Sequence, residues 1–238
     1  MLLGRQAAFG RLCHFWRMDI LRTIVFIDGY NLYYGIVRRT PYKWLDIFKL
    51  FQERLLLPET ELLEVRYYTA PVLGSLCDDP ESPQRQRQYL QALRKLYPAK
   101  IAILEGKLVK STPILRLAEP IPTAPELTMA RVITLTEKKT DVNIASDMLT
   151  AAFLRQCEQV VLCSNDSDME GALKAIRQHC PDVRVGLVTP IASPDHRHIC
   201  KELKTLSHWV KVLKLDDMAQ AQLPHKIPGT SITKPSSW

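Results

Sequence analysis

No stretch of the 238-residue chain approaches the roughly 20 consecutive apolar residues that a membrane-spanning helix needs. An integral membrane protein of that kind is therefore not expected. Neither G-x-G-x-x-G nor G-x-x-x-x-G-K occurs, which counts against a dinucleotide or nucleoside triphosphate enzyme built on a glycine-rich loop. No two of the six cysteines (Cys13, Cys77, Cys157, Cys163, Cys180 and Cys200) form C-x-x-C. Cys157, Cys163 and Cys180 sit in apolar, element-like contexts, so the cysteines read as reduced, buried thiols of a cytoplasmic protein rather than a disulfide framework. No internal repeat is visible. The opening residues, MLLGRQAAFGRLCHFWRM, contain no acid, yet they lack the apolar region and small-residue cleavage site of a targeting peptide. They read as an extension, residues 1–21, with Met18 a candidate alternative start.

What is present is an ordinary globular balance, 46% hydrophobic and 24% charged residues, enough for one sizeable core. The formal net charge of +7 favours polyanionic partners, because Lys and Arg displace counterions from phosphates. By itself that signal is weak.

Apolar β-branched runs alternate with helical patterns. Thr23–Ile27 (TIVFI), Val160–Cys163 and Val183–Val188 read as strands buried on both faces, with further strands over 62–69, 100–104 and 209–213. Helices are expected over 44–57, after a Ser82 cap with Pro83 behind it, from Asp141, over 169–179 and over 199–206. On the second of these, Arg85, Arg87, Arg94 and Lys95 face away from the apolar stripe, as a solvated face or a phosphate contact. Residues 106–110 suggest a hairpin return and 111–128, with four prolines, an irregular flap. Residues 215–238 read as a loose tail. The pattern implies βαβ units around a mostly parallel sheet, with any ligand beyond the carboxyl ends of the strands at a switch point.

Acids fall at that edge. Asp28 ends TIVFI, with Asn31 three residues on, and Ser164-Asn165-Asp166-Ser167-Asp168 follows VVLC. Asp141 opens the helix before that strand. Converging carboxylates repel one another and are costly to desolvate. A hard divalent cation, Mg²⁺ or Mn²⁺, relieves that cost through oxygen ligands. It also activates water and neutralises charge on a phosphate. Each acid has a plainer reading: Asp28 in a turn, Asp141, Asp166 and Asp168 as helix caps. Asp147, six residues past Asp141, lies about 120° further around the helix and reads as a surface or supporting acid.

The segments F-I-D-G-Y-N (26–31), E-K-K-T-D-V-N-I-A-S-D-M (137–148) and S-N-D-S-D-M (164–169) resemble the three motifs of the NYN domain family, PIN-like nucleases that include LabA-like bacterial proteins. The resemblance runs from about residue 22 to 214. It implies a PIN-like three-layer α/β sandwich and metal-dependent cleavage of RNA. Asp28, Asp141, Asp166 and Asp168 match its Mg²⁺ or Mn²⁺ ligands. Asn31 matches the residue that sets the first loop or contacts the scissile phosphate, and Ser164 and Asn165 support the loop. Lys139-Thr140 departs from the glycine-containing entry of many relatives, and Glu137 and Asp147 fall at variable positions. A homodimer is compatible with this reading. An RNA-binding module with little turnover is the alternative, and a cofactor-dependent oxidoreductase ranks last for want of a cofactor loop. A soft-metal site at His196, Arg197, His198 and Cys200 is disfavoured, because adjacent residues rarely converge on one ion.

Overall fold

The structure, a computed structural model, describes residues 20–72, 79–192 and 198–238. The extension up to residue 19, Cys13, Cys77, His196 and Arg197 lie outside them. A six-stranded, wholly parallel sheet runs in the order β10-β9-β8-β1-β2-β3. Its strands are β1 (Leu21–Asp28), β2 (Thr60–Thr69), β3 (Ile101–Glu105), β8 (Gln159–Cys163), β9 (Arg184–Thr189) and β10 (Trp209–Val212). From β1 the chain builds outward through β2 and β3, then crosses to the other side of β1 and builds outward through β8, β9 and β10. The switch point therefore lies between β1 and β8.

The sandwich follows from period-2 alternation in strands apolar on both sides. Val25 and Ile27 pack on one face with α1 (Gly29–Leu32), α2 (Ile47–Lys49) and α3 (Ser82–Leu96). Ile24 and Phe26 pack on the other with α4 (Thr140–Phe153), α5 (Glu170–His179) and α6 (Lys201–Leu206). Two helices are wider than expected: α1 continues as π-helical turns over Tyr33–Val37, and α2 as π-helical turns over Leu50–Leu55. The 44–57 pattern thus resolves into a buried lead-in, Trp44 and Leu45, and a helix capped by Asp46, which accepts the Lys49 N–H at 2.9 Å.

Four local expectations change. The cap of α3 is Glu81, not Ser82, with Pro83 in the first turn. Arg85 is buried and ion-paired to Asp79 and Glu81 rather than solvated, whereas Arg94 pairs with Glu105 at 2.7 Å. The return after Gly106 is not a hairpin with β3. Instead β4 (Lys107–Ser111) pairs with β7 (Thr134–Lys138), and β5 (Ile114–Arg116) pairs with β6 (Met129–Arg131), so 107–138 forms an antiparallel arm that re-enters the domain at α4. Gly106 permits the close re-entry, since a Cβ there meets Glu137 Oε1 and Thr140 Oγ1, each at 2.6 Å.

The expected loose tail packs onto the core. In and after α7 (Leu215–Gln220), Met218, Ala221, Leu223 and Ile227 are buried. The indole N–H of Trp44 donates to the Pro224 carbonyl at 2.9 Å, and Leu223 N–H donates to the Trp44 carbonyl at 2.9 Å. Trp238 lies edge-on to Trp44 and Tyr89. The anchors are too sparse among the prolines to give a period, so only docking reveals them.

Candidate metal centre

β1 and β8 run side by side, and their carboxyl ends deliver the first two acids. Asp28, the last residue of β1, is 4% exposed. It caps α1: its Oδ1 accepts the Asn31 N–H at 2.9 Å, and its Oδ2 accepts the Ser164 hydroxyl at 3.1 Å. The same Ser164 oxygen accepts the Asp166 N–H at 3.1 Å, so one fully buried hydroxyl ties the two acidic loops together. Asn31 adds a second tie, its Oδ1 accepting the Asn165 N–H at 3.0 Å. Asn165 in turn donates to the His198 carbonyl at 3.1 Å and accepts the Cys200 N–H at 2.9 Å, holding the lead-in to α6 against the site.

The third acid arrives from α4. Asp141 lies in its first turn, behind a left-handed residue, Lys139, with φ of 85°. Asp28 continues the alternation of Ile24 and Phe26, and so leaves β1 toward the α4 face. Carboxylate oxygens of Asp28, Asp141 and Asp166 all lie within 4.8 Å of one another, and this is the one such group among the described residues. Asp168 stands apart from the trio. It is exposed on the short 3₁₀ turn Ser167–Met169, where its N–H donates to Asp166 Oδ1 at 3.1 Å. Its charge still reaches Asp141.

The electrostatics are those of an uncompensated cluster. Burial pushes the Asp28 carboxyl up to about 6, with further lift from Asp141 and Asp166 and opposition from its two hydrogen bonds. Burial also raises Asp141, helped by the charges of Asp166, Glu137 and Asp168. No cation of the protein pairs with the trio among the described residues. Three carboxylates with no softer donor fit a hard divalent cation such as Mg²⁺ or Mn²⁺, which offsets both the burial that chiefly lifts the two carboxyls and their smaller mutual repulsion.

Asp147 and Glu137 take supporting places. Asp147 accepts the buried Tyr68 hydroxyl at 2.6 Å, pinning α4 to β2, and Glu137 accepts the Thr140 hydroxyl at the helix entry. The Tyr68 contact had no sequence signal, because it joins residues 79 positions apart. Of the described cysteines, Cys157 and Cys163 are buried, and burial raises both thiols; Cys180 and Cys200 are only partly covered. No described helix is long and apolar enough to cross a membrane.

The chain is 35% identical to a 6-hydroxy-3-succinoylpyridine 3-monooxygenase of Pseudomonas putida, over 92% of this chain and 75% of that protein. Its fold is similar to the crystal structure of a Vibrio parahaemolyticus protein of unknown function, with a TM-score of 0.51, 18% identity, and coverage of 83% of this chain and 96% of that one. The model of the NYN domain matches residues 22–206. On that match, and on the acids that its fold gathers at the switch point, the chain belongs to the NYN domain family of the PIN-like nuclease superfamily.

Proposed function

We propose that the protein is a metal-dependent ribonuclease that hydrolyses RNA phosphodiester bonds at the edge formed by β1, β8 and α4. The observation that carries this reading is the meeting of Asp28, Asp141 and Asp166, from three separate chain segments, within 4.8 Å. Mg²⁺ or Mn²⁺ held there supplies a water of lowered pKa and charge neutralisation at a phosphate. Asp28, Asp141 and Asp166 are the proposed ligands, with Asp168 an outer acid that could join them as RNA arrives. Ser164 fixes the carboxylates of the first loop relative to the backbone of the second, and Asn31 and Asn165 lock the loops in register. Asp141 and Asp166 are only half-buried, so a cation held by the three acids would remain open to a phosphodiester from the solvent side. The net charge of +7 supports a polyanionic substrate. RNA binding without turnover gains nothing from three mutually repelling carboxylates.

The test pairs binding with cutting. Protein stripped with EDTA is titrated with Mn²⁺ and followed by the electron paramagnetic resonance of the free ion, then given labelled single-stranded and structured RNA. One tight Mn²⁺ site and restored cleavage, both lost in Asp166→Asn, are expected. Cleavage that survives EDTA and the substitution overturns the assignment.

A second reading has a specific support: the 35% identical relative is named as a monooxygenase of a pyridine derivative. Under it the same protein oxidises a heteroaromatic ring using dioxygen and a reduced cofactor. Oxygen uptake dependent on reduced nicotinamide and 6-hydroxy-3-succinoylpyridine, in the absence of any RNA cleavage, would replace the first reading with this one.

A further inference from the structure

On the face of the sheet opposite the acids lies a cavity of about 400 Å³, within the size range of small-molecule sites. α1 and its continuation form one wall, β2 the floor, α3 a second wall, and Trp238 closes part of the rim. Its composition is uneven. The rings of Tyr34, Tyr67, Tyr89 and Trp238 contribute to it, together with the cations Arg38 and Lys43.

Three observations point to an occupant. First, Tyr67 is only 8% exposed, yet its hydroxyl has no hydrogen-bond partner among the described residues. It sits against Gly29, where a Cβ would come within 2.9 Å of that oxygen, at the start of α1. The described polar side-chain atoms that are both fully covered and without a partner are Thr60 Oγ1 and Gln222 Oε1; the Tyr67 oxygen is not one of them, so the ring is buried while the hydroxyl opens onto the cavity it lines. By contrast, Tyr89 donates to the Leu45 carbonyl at 2.8 Å. Second, Arg38 and Lys43 make no ion pair among the described residues. Arg38 instead lies over the half-exposed Tyr34 ring, 5.4 Å from its centroid. Third, Arg85 and Gln86 on the α3 wall are already satisfied. Arg85 is held by Asp79 and Glu81, and Gln86 bonds to Val72, Thr69 and Ala70. What is left open is the Tyr67 hydroxyl, aromatic walls and a rim where Arg38 and Lys43 outnumber the one lining acid, Asp79, which Arg85 already holds.

We infer that this cavity binds a planar heteroaromatic ring carrying an anionic group, with the Tyr67 hydroxyl donating to a ring nitrogen or oxygen and Arg38 and Lys43 facing the anion. A small heteroaromatic acid and a nucleoside monophosphate share this chemistry. The ring packs against Tyr89 and Trp238, where offset or edge-on geometry is available, and the anion lies at the mouth, where its desolvation is least costly. The inference stands on the cavity alone and does not require hydrolysis at the acids.

The experiment uses the full chain in EDTA and follows tryptophan fluorescence while pyridine-3-carboxylate, and separately uridine 5′-monophosphate, is added. Saturable binding of at least one is expected. Tyr67→Phe, which keeps the ring and removes the donor, weakens it about three- to tenfold, and Arg38→Ala, at the exposed rim, weakens it by a similar factor with unchanged melting temperature. Asp28→Asn, whose amide oxygen keeps the α1 cap, leaves binding intact. Binding of the pyridine acid alone identifies a small heteroaromatic acid as the source, and binding of the nucleotide identifies a nucleotide. Absence of saturable binding for both, equal binding by wild type and both cavity variants, or loss of binding in Asp28→Asn overturns the inference. Failure of RNA cleavage with retained binding affects only the hydrolytic reading.

Discussion

The two faces of the sheet differ most where β1 and β2 end. On the α4 face, Asp28, Asp141 and Asp166 crowd together with no cation paired to them among the described residues. On the α1 face, one residue along, the chain gathers tyrosines, Trp238, Arg38 and Lys43 around a cavity. A single strand end thus separates a cluster that needs positive charge from one that offers it. Neighbouring sites of opposite sign can be built a few residues apart because alternate residues of a strand leave it in opposite directions. The acid side is held by a hydrogen-bonded hinge of Ser164, Asn31 and Asn165, and the ring side by apolar packing.

The comparison can be broken from either side. The largest effect is expected at Asp28: Asp28→Asn lowers the Mn²⁺-dependent rate on single-stranded RNA by more than about a hundredfold, measured as initial rates at saturating metal. Removing the hinge comes next. Ser164→Ala leaves Asp28 and Asp166 in place but without their common tie, and weakens Mn²⁺ binding about tenfold, while circular dichroism stays that of the wild type.

Acidity separates the two faces further. The folded Asp28 carboxyl is raised from 3.8 to about 6, so the folded state holds that proton more tightly than the unfolded chain does. The stabilisation is fully present below the unfolded value and is lost as pH rises through about 6, a loss on the order of 3 kcal/mol in metal-free protein. Thermal melting in EDTA is expected to show this decline from pH 4 to 7 in wild type and its reduction in Asp28→Asn. Mn²⁺ binding has the opposite slope, weakening as pH falls below about 6, because the proton competes with the metal. A flat melting profile would mean that Asp28 is solvated.

On the ring side, Trp238→Ala removes a half-buried ring that meets Trp44 and Tyr89, lowering stability by about 1–2 kcal/mol. Mn²⁺ affinity should not change; a shift in it would show that the two faces are coupled. The smallest effect is expected at Lys139, whose φ of 85° is a backbone conformation that glycine adopts freely. Lys139→Gly is expected to stabilise the protein by about 0.5–1 kcal/mol, read as a higher melting temperature.

Much of the acid side was legible beforehand. TIVFI and VVLC are too apolar and too β-branched to be anything but interior strands, and an acid within three residues of each must sit at the same edge of a parallel sheet. Asp141 was harder to place: that it opens a helix is readable, but its approach to Asp28 depends on the arm of residues 107–138 returning the chain at Thr140. Asp168 shows the limit of motif reasoning. It lies in the same short segment as Asp166, but the 3₁₀ turn carries it outward.

The cavity was not legible at all. Its residues come from α1, β2, α3 and the far end of the chain, and in sequence each is an ordinary aromatic or basic residue. The tail shows the same limit. Met218, Leu223 and Ile227 are spaced irregularly among prolines, so their burial depends on surfaces that other elements provide. What this sequence determined by itself was local: which runs are interior strands, which helices follow them and which acids end them, because those properties depend on residue spacing along one segment. Tertiary structure alone decided which acids meet, which phenol faces the cavity and where the tail docks, because each depends on distances between segments that no local period encodes.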